Sequence, residues 1–243
     1  MKPLKFTVGL RPAKSMFRFS TWAGSLVDDL LASAERSKTT KGLFKTVEQA
    51  ADKSHFRLIG EKHTLFAGVK DVQFSVDYYD SDSTLDIDAE IDRFISLFSV
   101  VNAALKIRDV RRIGIVCEYR FPSKTDQPSR ELIEKITHFK TDGFPAKFQL
   151  QFEQRHPITA TTGIPDFRTE DFWNVLETYY DGEVDTDHSA KHEINLMLDV
   201  QRYYAPLLEE KIDAAIRAVS EKYKKQLAIF REKAKTVGLE NGG

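Results

Sequence analysis

Val110-Arg-Arg-Ile-Gly-Ile-Val-Cys-Glu-Tyr-Arg-Phe121 is the stretch on which the fold turns. Ile113, Ile115, Cys117, Tyr119 and Phe121 fall on one side and Gly114, Val116, Glu118 and Arg120 on the other, the period of two of a strand with one buried face. Upstream, Ile91, Phe94, Phe98, Val101 and Leu105 recur at steps of three and four and predict a helix. The acidic run from Asp80 to Asp88 precedes it, where the helix dipole favours carboxylates. Before that run, Val72, Phe74, Val76 and Tyr78 alternate with Gln73, Ser75 and Asp77 as a second strand. His55 to Glu61 and Thr64 to Lys70 read as one strand or a broken pair, and Leu43, Val47 and Ala50 as a minor helix within a connection. Phe19, Trp22, Ala23, Leu26, Leu30 and Ala34 form another helical stripe, and Leu4, Phe6, Val8 and Leu10 an opening strand. The order over residues 1–121 is therefore βαββαβ, the ferredoxin-like arrangement.

Downstream, residues 122–185 read as an addition to this half. A helix begins at Asp126-Gln127-Pro128 with Leu132, Ile133, Ile136 and Phe139 inward, followed by strands at Phe148–Phe152 and Phe172–Tyr180. From Asp187 to Val237 the spacing predicts helix, bent at Pro206, where a backbone donor is missing. The expected fold is α+β: a mostly antiparallel sheet of five or six strands in a domain over 1–185, and a helical segment over 186–243.

Composition narrows the function classes. In 243 residues, 36 Lys and Arg balance 37 Asp and Glu, so a partner attracted by charge must be held by a local patch. A hydrophobic share of 41% is enough for a globular core and argues against disorder. The single cysteine, Cys117, has no partner for an intramolecular disulfide, the first residues carry no apolar signal core, and no apolar run reaches the ~18 residues of a spanning helix. A cytoplasmic protein with no membrane span is the expectation.

Motifs for chemistry are sparse. There is no phosphate-cradling glycine loop and no nucleophile elbow, so no cofactor is expected. Cys117 falls on an apolar strand face, where it packs as an inert thiol. The acidic run lacks the glycine at position six and the glutamate at position twelve of a calcium loop, and helix capping accounts for it. His188 and His192, with Asp185, Asp187 and Glu193, have the i, i+4 spacing of a helical metal pair, although no further ligand motif accompanies them and a solvated helix start is the competing account. The strand faces predicted to be polar carry Gln73, Ser75, Asp77, Lys147, Gln149, Gln151 and Glu153, with Tyr79 as the one aromatic platform for a stacked base.

The most extended feature is the stripe Ile212, Ile216, Val219, Tyr223, Leu227 and Phe230, which continues to Ala234 and Val237 at near-heptad spacing. A helix from Pro206 to Val237 would run ~48 Å, longer than a compact domain of this size is broad. The stripe is therefore expected to serve as a partner or self-association surface of a non-catalytic interaction module; the competing account is a helix that bends back across the sheet and buries the stripe within its own chain. Two alternatives stand beside it: a metal-dependent enzyme using Asp185 to Glu193, and nucleic-acid binding through Arg217, Lys222, Lys224, Lys225, Arg231, Lys233 and Lys235 on the wet side of the same helix.

Around Val110, Arg112, Ile113, Gly114 and Arg120, preceded by the Phe94 to Leu105 stripe, the chain resembles an uncharacterised, sporadically distributed bacterial family of similar size. Cys117 and Glu118 depart from that family's pattern. The resemblance implies a fold and a bacterial origin, and no activity.

Overall fold

The structure, a computed structural model, describes residues 1–79, 84–122, 127–140, 142, 148–158, 163–166, 168–184, 191–208 and 211–236. Among these, strands β1 (Lys2–Pro12), β2 (Thr46–Gln49), β3 (His55–Ile59), β4 (His63–Gly68), β5 (Val72–Asp77), β6 (Asp109–Pro122), β7 (Gln149–Pro157), β8 (Phe172–Val184) and β9 (Lys191–Leu208) join in one antiparallel sheet. The order across it is β2-β3-β4-β5-β1-β6-β9-β8-β7, nine strands where five or six were expected. Helices α1 (Phe19–Arg36), α2 (Ile87–Leu105), α3 (Pro128–Thr137) and α4 (Ile212–Thr236) complete the fold.

Alternation decides which side of the sheet is core. Leu4, Phe6, Val8 and Leu10 of β1 meet Val72, Phe74 and Val76 of β5 and Ile113, Ile115, Cys117 and Tyr119 of β6, all buried. Onto this face α1, α2 and α4 pack side by side through their apolar stripes. Each fully buried Phe or Leu there contributes roughly 1.5–3 kcal/mol relative to exposure. Asp86 caps α2, its Oδ1 accepting from the Ala89 N–H at 3.1 Å, so the acid next to this helix is a cap, as read from the sequence. At the other end, Lys106 closes the helix in the left-handed region. In the first turn, buried Glu90 binds Arg93 at 2.5 Å and lies 3.5 Å from His63 of β4, tying α2 to the sheet.

Several expectations are corrected. The segment over 186–243 is not a separate helical unit, because residues 191–208 form β9, an 18-residue strand running through Pro206 between β6 and β8. Ile194, Leu196, Leu198 and Val200 are buried at period two, and this alternation, overlooked beside the charged residues around it, was the legible signal. The predicted minor helix over Leu43 to Ala50 is the edge strand β2, paired to β3. The broken pair is the β3–β4 hairpin. Trp22, placed on the buried stripe of α1, is half-exposed, and Phe139 lies beyond the end of α3 at 68% exposure.

The interaction stripe is also corrected. Ile212, Ile216, Val219, Tyr223, Leu227 and Phe230 are each 6% exposed or less, enclosed by their own sheet and by α2. With β9 occupying the stretch through Pro206, α4 has 25 residues and runs ~37 Å, and it lies along β6 and β9 rather than overhanging them. Tyr223 crosses the interface to share a hydrogen bond of 2.8 Å with the Tyr119 hydroxyl.

Candidate functional site

With α1, α2 and α4 on one side, the opposite side of β5, β1 and β6 carries no helix among the described residues. Apart from Val116, its side chains are polar, with Lys5, Thr7, Gln73, Ser75, Arg112 and Glu118 half-buried. On β8 and β9 the same face buries Asn174, Thr178 and Asp199, while α3, which contacts those two strands, sets Leu132 and Ile136 against the core on the helix side. The open face thus lies at the centre of the sheet.

Two adjacent glycines form its floor. Gly9 of β1 pairs with Gly114 of β6, flanked by Gln73 of β5 and Gln201 of β9 in the same row. A Cβ on Gly9 would stand 3.0 Å from Gln73 Cγ, and one on Gly114 would stand 3.2 Å from Gln201 Cγ, so the missing side chains let both glutamines lie low over the backbone. The resulting pocket, ≈ 170 Å³, is lined by Thr7, Asp71, Gln73, Arg112, Asp199 and Gln201 around the glycines.

Asp199 is the buried charge of this pocket, at 8% exposure. Gln201 donates to its Oδ2 at 2.5 Å, while Oδ1 is buried without a hydrogen-bond partner. Burial pushes its carboxyl up to about 6, outweighing the Gln201 hydrogen bond and the nearby Arg112 charge. Arg112 in turn reaches Gln201 Oε1 at 3.5 Å and the Tyr203 hydroxyl at 3.4 Å.

Next to the pocket, and sharing Arg112 with it, is a wider cleft of ≈ 770 Å³ lined by Arg11, Arg111, Arg112, Arg168, Tyr203 and Tyr204 with Ala13, Thr169 and Ala205. Four arginines line it, of which Arg111 donates a hydrogen bond to the Tyr204 carbonyl. Arg11 stands directly opposite Arg112 in the β1–β6 ladder. Between Arg112 and Val110 the register slips, leaving Arg111 as a bulge against β1. The bulge turns Arg111 to the same aromatic ring as its neighbour: the two guanidinium carbons lie 6.0 and 5.9 Å from the Tyr203 centroid. Tyr203 is stacked on Phe172 at 4.6 Å, and Arg155 covers Phe172 at 5.6 Å. Asp71, 3.9 Å from Arg11, lies at the junction of cleft and pocket.

Gln73 was read from the sequence as part of a polar strand face and Gly114 as lying on the side of its strand opposite the buried residues, and both line this site. Asp199, Gln201 and Tyr203 were missed because their segment was read as helix. Arg111 was missed because a bulge has no signature in apolar periodicity.

The other sequence candidates fare differently. Asp185, Asp187 and His188 lie outside the described residues. His192 is at the start of β9, so the helical i, i+4 spacing does not extend to it, and Glu193 is paired with Arg120. Along α4 the basic stripe is largely neutralised: Arg217 binds Asp92 at 2.8 Å, Lys224 binds Asp88 at 2.6 Å, Lys233 binds Glu177 at 2.8 Å and Lys235 binds Glu232 at 2.9 Å. Cys117 is buried and its thiol is pushed up to about 12 by desolvation. Tyr79 is half-exposed, at the end of the sheet remote from the arginines. Among the described residues, no helix is long and apolar enough to cross a membrane.

No protein-family model matches this sequence, and no curated protein matches it either.

Proposed function

We propose that this protein is a non-catalytic binding module that holds an anionic partner, bearing phosphate or carboxylate, on the open face of its sheet at the arginine cleft. The observation that carries this function is the direct opposition of Arg11 and Arg112 in one ladder, with Arg111 bulged onto the same tyrosine ring. Like charges directly opposite each other across a ladder destabilise it, a cost that an anion seated between them reverses. Guanidinium groups suit that task, because their planar donors match carboxylate and phosphate oxygens.

Recognition by base stacking is disfavoured, since the Tyr203 ring already packs against Phe172 and the two guanidinium groups. The α4 stripe no longer supports self-association or nucleic-acid binding, its apolar side being core and its cations largely paired. We also read residues 1–121 as a ferredoxin-like half with an inserted hairpin. In support of that, β4-β5-β1-β6 is a consecutive antiparallel run, α2 joins β5 to β6 across β1, and α1, with β2 and β3 set aside as the insertion, leads from β1 to β4 across β5.

Thermal unfolding with inorganic pyrophosphate at low salt tests the cleft. Occupancy at ten times Kd adds about 1.4 kcal/mol to the folded state, a rise of ~3–6 °C in Tm. Arg111→Ala with Arg112→Ala is expected to abolish the rise, and Lys222→Ala with Lys225→Ala on α4 to leave it intact. An equal rise in both double variants would place anion binding elsewhere.

A further inference from the structure

We infer that the pocket over Gly9 and Gly114 is a second half-site, which takes the N–H donor end of a ligand whose anionic end lies in the arginine cleft: a small phosphorylated compound bearing an amino group. This rests on the proposed anion cleft and adds the chemistry of the ligand's other end.

The donor preference follows from Asp199. Its Oδ1 is buried and has no hydrogen-bond partner, and an ionised carboxylate only accepts, so the group that satisfies it must donate. Leaving such an acceptor unmet costs roughly 1–3 kcal/mol, which a ligand N–H recovers on binding. Charge agrees: Asp71 and Asp199 line the pocket against one guanidinium, Arg112, while the adjoining cleft holds four. The site is thus polarised, acceptor-rich at one end and cationic at the other, with Arg112 at the seam.

Size and spacing set the ligand class. A pocket of ≈ 170 Å³ admits a single amino-bearing ring and excludes a folded peptide. Asp199 and Tyr203 are four residues apart on β9, ~13 Å at strand rise. A nucleoside diphosphate with an amino-bearing base spans that interval when extended, and an amino sugar phosphate offers the same two groups more closely spaced. The glycines make the room, since side chains at these positions would press on Gln73 and Gln201, the residues that line the pocket walls.

Calorimetric titration of wild type, Asp199→Asn and Gly114→Leu with matched pairs tests this. The pairs are adenosine diphosphate against purine riboside diphosphate, which lacks the amine, and glucosamine 6-phosphate against glucose 6-phosphate, with inorganic pyrophosphate as the anion alone. At least one amino compound is expected to bind wild type tenfold or more tightly than its partner, and the preferred pair distinguishes base from sugar. Asp199→Asn, close in shape, should erase that margin while pyrophosphate affinity stays within about twofold, and Gly114→Leu should exclude the ring but admit pyrophosphate. Equal affinity within both pairs on wild type, or a margin that persists in Asp199→Asn, would overturn the half-site alone. Failure of pyrophosphate to bind wild type would remove the arginine cleft and the half-site together.

Discussion

At the scale of the residue, two buried acids respond to pH in opposite senses. Asp199, raised by burial to about 6 against an ordinary value of 3.8, binds a proton more readily folded than unfolded. Its contribution therefore favours the fold at low pH and is lost as pH rises through 6. A shift of two pH units corresponds to at most about 3 kcal/mol. Urea midpoints of wild type and Asp199→Asn should differ most at pH 7.5, with the variant the more stable, and converge by pH 4; curves that stay parallel would show that Asp199 does not titrate from this buried setting. Glu90 behaves the other way. Burial pushes it up, but hydrogen bonds from His63 and Arg93 outweigh burial and hold its carboxyl below the usual range, so its support is present at neutral pH and lost on acidification. Glu90 thus acts as a structural tie between α2 and β4.

At the scale of the element, α4 is a core helix. Phe230 is fully buried and packs against Tyr179 at 6.1 Å between ring centroids. Phe230→Ala is expected to cost about 3–5 kcal/mol in urea unfolding, with no change in sedimenting mass. A loss of mass without a loss of stability would restore the helix as an interface. The sequence showed α4's apolar stripe clearly, since steps of three and four predict a helix with one buried side, but a stripe does not say which surface covers it. That depended on β9. Its own alternation, Ile194, Leu196, Leu198 and Val200, was legible, yet the helical pattern that follows drew the whole segment into one helix. Once residues 191–208 are a strand, α4 is short enough to lie along the sheet. The strands β1, β5 and β6 and the helices α1 and α2 were readable because each has one face in core and one in water. Strand β2 was not, because all four of its residues are exposed and hydrogen bonding to β3 alone defines it. The glycine pocket was half visible, since Gln73 and Gly114 follow from alternation, whereas the arginine cleft was not, because the meeting of Arg11, Arg111 and Arg112 needs the register and the bulge.

At the scale of the whole molecule, a net charge of −1 conceals a separation of charge. On the helical side, Arg217, Lys224, Lys233 and Lys235 are matched to carboxylates of α2, β8 and α4 itself. On the open side, four arginines line one cleft, Arg11 with Asp71 3.9 Å away and Arg111 donating to the Tyr204 carbonyl, and the opposite end of that face carries Glu118 and Asp77. A sheet with three helices on one face leaves the other to present side chains without disturbing the core, and a bulge at Arg111 adds a second guanidinium where regular alternation allows one. The central claim, that this cleft receives anions, is tested most directly by following the arginine side-chain Nε–H resonances of the full chain during titration with pyrophosphate at low salt. Saturable shifts at Arg11, Arg111, Arg112 and Arg168, weakening as salt is raised and absent at Arg36 and Arg217, are the predicted result. Shifts confined to Arg217 and Arg231 on α4, or no saturable shift at any arginine, would contradict it.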